Sequence, residues 1–253
     1  MKTRSKLTPV VASLSLVLSF STAPMSAFAA PSPAASPAER GFCTSLGADE
    51  SRIGSGIATQ SAKLTADRAS AAAKLQAERA SVDATVTSDR ANWDTKRQAY
   101  FTSLEGKATS TSTQQAVSSF EQTVLSAVTT RRSAVDTARN TFRSGVDAAI
   151  ASRHAQVDAA TSAFRTAVSN VEASAQASCT SGVAPASVRT TFVAGLKSAR
   201  MTLQSSLSSI PKLDPVVKSL AQTRQTAVSG ADATFKTSVD QASTTLKAAL
   251  HQS

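Results

Sequence analysis

Apolar positions recur along this chain in steps of eleven. Val124, Val135, Val146, Val157 and Val168 form one series, and Ala138, Ala149, Ala160 and Val171 keep the same step three residues later. Phe120, Phe142 and Phe164 recur at twice the step. In the first third, Leu64, Leu75 and Val86 make one series and Ala71, Val82, Trp93 and Leu104 another; the last third carries Val217, Val228, Val239 and Leu250. Eleven residues fill three helical turns at about 3.67 per turn, so such a stripe runs nearly straight or winds gently right-handed. Strands cannot produce it, because their faces alternate every two residues. The pattern predicts an all-α protein with coiled-coil-like packing. Trp93 stands where Val82 stands one repeat earlier, which predicts a packing residue.

Charge rides on the same period. Basic residues stand four before acidic ones in Arg79/Asp83, Arg90/Asp94, Arg132/Asp136, Arg143/Asp147, His154/Asp158 and Lys236/Asp240. Within one helix this is the weaker orientation, worth a few tenths of a kcal/mol per pair. Repeat duplication, or ion pairs between neighbouring helices, explains the recurrence better than local stability does.

Punctuation cuts the rod into legs. Gly106 and the polar run 108–113 interrupt the pattern, with Ser112 and Gln115 at capping-box spacing for a new helix. A second break falls at Cys179-Thr-Ser-Gly182 before Pro185, and a third at Ile210-Pro-Lys-Leu-Asp-Pro215, where Asp214 can cap a helix that starts at Pro215. The expected helices are 44–106, 112–179, 185–209 and 215–251, with Gly47, Gly54 and Gly56 weakening the start of the first. The first two would each be about 100 Å long, and the last two together nearly match them. This predicts a long antiparallel three-leg bundle over 43–253, its last leg kinked at Pro211 and Pro215. A two-helix hairpin with a loosely docked C-terminal arm is the alternative.

The N-terminus reads differently. Lys2, Arg4 and Lys6 precede an apolar run from Val10 to Phe20, then Ala27-Phe28-Ala29, the pattern of a signal peptide spanning 1–29. The run is shorter than the roughly 18–20 apolar residues of a membrane span. Residues 30–42 begin as a Pro/Ala/Ser leader of disordered character. A secreted or envelope location follows. Removing the three basic residues of the head lowers the formal net charge of +10 to +7.

Cys43 and Cys179 are the only cysteines. In an exported chain an even count favours a disulfide, and a hairpin bend near residue 109 would bring the two side by side. Free thiols or an intermolecular bond are the alternatives. Two distant cysteines and two histidines lack metal-ligand spacing. His154 occupies the repeat position of Arg132 and Arg143, so it reads as a surface pair member; His251 sits at the end. No nucleophile elbow or phosphate loop is present. The sequence therefore implies no enzyme, no catalytic residue, no cofactor and no small-molecule substrate.

The reading that remains is a non-enzymatic structural or interaction protein of the envelope or exterior. Its partner would be an unidentified protein or acidic polymer, and self-assembly into a homo-oligomer is open. Polyanion binding is one alternative. Residues 186–253 hold 8 basic and 3 acidic residues, which places the contact on Lys212, Lys218, Arg224 and Lys236. Adsorption to lipid is another, although the apolar seam covers only about 65° of the helix, narrower than lipid-binding helices use.

The runs Arg132-Ser-Ala-Val-Asp136, Phe142-Arg-Ser-Gly-Val-Asp147, Ala163-Phe-Arg-Thr-Ala-Val168 and Cys179-Thr-Ser-Gly-Val-Ala-Pro-Ala-Ser-Val-Arg189 resemble a group of uncharacterised secreted helical repeat proteins from bacteria of the candidate phyla radiation. The likeness spans roughly 43–200 and includes both cysteines. Ala184 stands where an acidic residue is common. The resemblance implies export and a helical fold; it carries no activity.

Overall fold

The computed structural model describes residues 41–251; the expected signal peptide and nearly all of the leader lie outside the described residues. Four helices follow in order: α1 (Phe42–Glu105), α2 (Thr111–Thr180), α3 (Pro185–Ser209) and α4 (Leu213–His251). No strand occurs among the described residues. α1 and α2 form an antiparallel hairpin, and α3 and α4, joined through a slight bend, make the third leg. At about 1.5 Å per residue, the 70 residues of α2 span about 105 Å.

Each boundary has a local cause. α2 starts at Ser110 rather than Ser112. The Ser110 hydroxyl accepts from the Thr113 backbone N–H at 3.2 Å, and the Thr113 hydroxyl accepts from the Ser110 N–H at 3.1 Å. Threonine closes this capping box in place of the usual Glu or Gln, so the expected Ser112/Gln115 pair is displaced by two residues. At the other end Gly182 adopts φ +74°. The Val183 N–H reaches Ser178 O and the Gly182 N–H reaches Cys179 O, a Schellman ending that a Cβ would strain. Pro185 opens α3. α4 begins at Leu213, so Asp214 lies inside its first turn instead of capping it. There the carboxylate faces the positive end of the helix dipole, and Pro215 costs no helical hydrogen bond.

α2 is the central leg. α4 packs against it more closely than α1 does, which discards the loosely docked arm. Small residues allow the approach: a Cβ on Gly145 would stand 2.7 Å from Leu220 Cδ2, and one on Gly195 2.7 Å from Val171 Cγ2. The bend of the third leg is held to α2 by Arg153, which donates to the Pro211 carbonyl at 2.7 Å. Ile210 and Leu213 are buried on either side of the bend.

Two apolar clusters close the ends. Phe101, Val117, Phe120, Val124, Ala242 and Leu246 gather at the hairpin end, with the Phe101 and Phe120 rings nearly perpendicular and 6.2 Å apart. Phe42, Leu46, Ala175, Val188 and Phe192 gather at the other end beside Cys43 and Cys179. Those two cysteines are bonded to each other, with their Cα atoms 5.7 Å apart. The seam of α2 is buried at Val124, Val146 and Val168, and Val135 and Val157 are half-buried.

α1 departs from the expected pattern. Its buried residues are Phe42, Leu46 and Phe101, all near its ends. The glycines at 47, 54 and 56 do not interrupt it, and Leu64, Leu75 and Val86 are only half-buried. Val82 is 36 % exposed and Trp93 58 %. Trp93 is therefore a surface residue rather than a packing one, with the Lys96 ammonium 5.4 Å from its ring centroid.

Candidate functional site

Along the middle of α1, beside half-buried Leu64, Leu75 and Val86, runs a ladder of ion pairs to α2. Arg68 pairs with Asp158, Arg79 with Asp147 and Arg90 with Asp136, at 2.7–2.8 Å. Reading the other way, Arg132 reaches Asp94 at 2.6 Å and Arg143 reaches Asp83 at 2.8 Å. The sequence numbers of all five pairs add to 226. The base-four-before-acid motif therefore meets its own copy on an antiparallel neighbour: Arg79/Asp83 faces Arg143/Asp147, and Arg90/Asp94 faces Arg132/Asp136. His154/Asp158 completes half a rung, because Ala72 stands where a second acid would be. Gln176, which donates to both Glu50 oxygens at 2.9 and 3.0 Å, and Arg165, which donates to the Ser61 hydroxyl, keep the same register.

The rungs are planar forks. Arg79, Arg90, Arg132 and Arg143 each offer two guanidinium nitrogens to the two oxygens of one carboxylate. Arg79 and Arg143 also reach each other's backbone carbonyls at 3.5 and 3.4 Å. Arg139 bridges sideways, to Asp83 at 3.0 Å and to Asp136. The hydrogen bond from Arg132, with help from Arg97, holds the Asp94 carboxyl at about 2. Arg143 lowers Asp83, and Arg90 lowers Asp136. Burial, then the Arg68 charge, pushes His154 below the ordinary histidine value. Burial, then Glu50, raises Glu172.

Half-exposed pairs of this kind are worth about 0.2–1 kcal/mol each, so the ladder sets register more than it adds stability. Sliding α1 four residues one way would set Arg79 against Arg143; four the other way would set Asp83 against Asp147. Either slip places like charges face to face.

The four residues expected to contact a polyanion do not gather into one patch. Lys218 and Lys236 are exposed, and being 18 residues apart they share a face. Lys236 is paired with Asp240. Lys212 is exposed but lies in the bend before α4 begins at Leu213, off the helix that carries Lys218 and Lys236. Arg224 turns inward, its guanidinium 4.6 Å from the Phe142 ring centroid. A periodic phenylalanine seam and a basic residue opposite it were both readable; their stacking required knowing how α4 registers on α2.

An open groove of about 620 Å³ runs between α2 and α4, lined by Ala127, Ala134, Ala227, Ala231 and neighbouring polar residues. Arg131 crosses it to Asp232 at 2.6 Å and lies 5.6 Å from the Phe235 ring centroid. Among the described residues no helix is long and apolar enough to cross a membrane. No group of three or more His, Cys, Asp or Glu is placed there to hold a metal ion. No protein-family model matches the chain, and no curated protein or solved structure is found to be similar to it.

Proposed function

We propose that this chain is a non-enzymatic, exported spacer or interaction protein of the cell envelope or exterior. The observation that supports the reading is a helix of 70 residues braced along its length. Arg–Asp rungs fix the register of its neighbour, apolar clusters close both ends, and a disulfide ties the end away from the hairpin. Such bracing resists bending and sliding, which is what a part that holds two things apart must do. The disulfide fits an oxidising compartment.

The test is processing and redox state in the producing cell. The expected outcome is an extracytoplasmic protein that begins at Ala30 and carries a Cys43–Cys179 linked peptide pair. An unprocessed chain with reduced cysteines in the cytoplasm would overturn the reading.

A second reading, polyanion contact along α4, draws on the shared face of Lys218 and Lys236. It predicts binding of an acidic polymer that weakens steeply with salt and is lost on neutralising those two lysines.

A further inference from the structure

The motif that joins α1 to α2 occurs a second time on α1, on a face that no other helix covers. Lys63/Asp67 and Lys74/Glu78 repeat base-four-before-acid in the same eleven-residue step. Thr85/Asp89 and Lys96/Tyr100 continue the two rows. All eight residues are exposed. Lys63 and Asp67 at present pair only with each other, at 2.8 Å, with both side chains more than half exposed. Beside the rows lie Val82 and Trp93, which are exposed, and half-buried Ala71. No Cα of α4 lies within 8 Å of α1 among the described residues, and α3 meets α1 with Phe192 on Phe42, near the disulfide.

The inner ladder shows how this motif is satisfied: against its own copy, antiparallel. Applied to the outer rows, one register satisfies every position. Lys74 meets Asp89 of a second copy, Lys96 meets Asp67, Thr85 meets Glu78, and Lys63 lies against the Tyr100 ring. The sequence numbers of each pair add to 163. The two-fold axis then passes beside Val82, bringing it close to its own copy, with Trp93 over Ala71. A parallel, in-register pairing would instead set each residue level with its own copy, lysine beside lysine. We propose that the outward face of α1 from Lys63 to Tyr100 docks the same face of a second copy of this chain, antiparallel, with Val82 at the dyad. The inference goes beyond the spacer reading and does not depend on it.

Sedimentation equilibrium of the oxidised chain from residue 30 onward tests the proposal, together with charge exchange. The expected result is a monomer–dimer equilibrium that Lys74→Glu weakens about tenfold or more, since the dyad reverses two pairs at once. Adding Asp89→Lys to that variant restores the dimer, because the pair is exchanged rather than broken. Val82→Cys, in a chain with no free cysteine among the described residues, forms a covalent dimer under mild oxidation. Thr87→Cys, about 140° round the helix, does not. Helical circular dichroism of each variant confirms the fold. A chain that stays monomeric to about 100 μM (a dissociation constant weaker than about −5.5 kcal/mol of binding) would overturn the proposal. So would a dimer indifferent to Lys74→Glu, a double variant no better than the single one, or equal cross-linking at position 87.

Discussion

Arg79 on α1 grips Asp147 on α2 with both guanidinium nitrogens, at 2.8 and 3.0 Å. Four residues along each helix, Arg143 returns the same grip to Asp83. The reciprocity makes the pair exchangeable. Arg79→Asp alone should lower the unfolding midpoint and shift hydrogen exchange in the middle of α1. Adding Asp147→Arg should recover most of the loss, with a coupling of about 0.5–1 kcal/mol. A double variant as weak as the sum of its singles would show that the rung is not formed.

Acid should dissolve the ladder late. The Asp94 carboxyl is held at about 2 against an ordinary 3.8. A depressed carboxylate contributes stability above the unfolded value that is lost as pH falls through the folded one. Thermal unfolding should therefore keep this contribution down to about pH 4 and lose it between about pH 4 and 2. His154 adds a smaller acid-side loss beginning near its unfolded value of 6.5, since its folded value is lower.

Glu172 works in the opposite direction. Its folded value is raised by burial and by Glu50, so it favours folding below the ordinary 4.5 and opposes it as pH rises through the folded value. Glu172→Gln should raise the midpoint at pH 7 and bring no gain at pH 4. Equal effects at both pH values would place the carboxyl outside that environment.

The glycines separate by what surrounds them. Nothing lies within 4 Å of a Cβ placed on Gly54 or Gly230, so alanine there should stabilise by about 0.5–1 kcal/mol through helix propensity. Gly195→Ala should destabilise, because its Cβ would meet Val171 methyls at 2.7 and 3.0 Å on a β-branched side chain that cannot turn aside. Unfolding curves of the three variants decide it. A stabilising Gly195→Ala would mean that α3 sits farther from α2.

On the buried seam, Val146→Asp should cost about 3 kcal/mol or more, since the charge enters an apolar contact that leaves Val146 only 7 % exposed. Ser144→Glu, on the exposed side, should stay within about 0.5 kcal/mol. Reducing the Cys43–Cys179 bond should remove up to about 5 kcal/mol on the chain-entropy model. The helices should persist, because Phe42 and Leu46 pack at that end regardless.

Element boundaries were legible because breakers stand where helices end. Gly182 and Pro185 act as read, and the expected limits of the four helices fall within two residues of those observed. The cysteine pairing was legible from hairpin arithmetic. What the period could not say is which face meets which neighbour. An eleven-residue repeat paints the same seam and the same charged rows on every leg, so Val82 and Trp93 looked like the core positions Val124 and Val146 occupy. The difference arises because α2 lies between α1 and the third leg, whereas α1 joins apolar clusters with α3 and α4 only near its ends, through Phe42, Leu46 and Phe101. For the same reason Lys212, Lys218, Arg224 and Lys236 read as one basic set, although the turn of α4 sends Arg224 onto Phe142.

The chain forms a braced rod whose length is set by α2, and small-angle X-ray scattering of the oxidised protein at dilution measures that length. The expected profile is that of a rod with a maximum dimension of about 105–115 Å and a cross-section only a few helices wide. A compact particle of about 60 Å, or the featureless decay of a flexible chain, would contradict it.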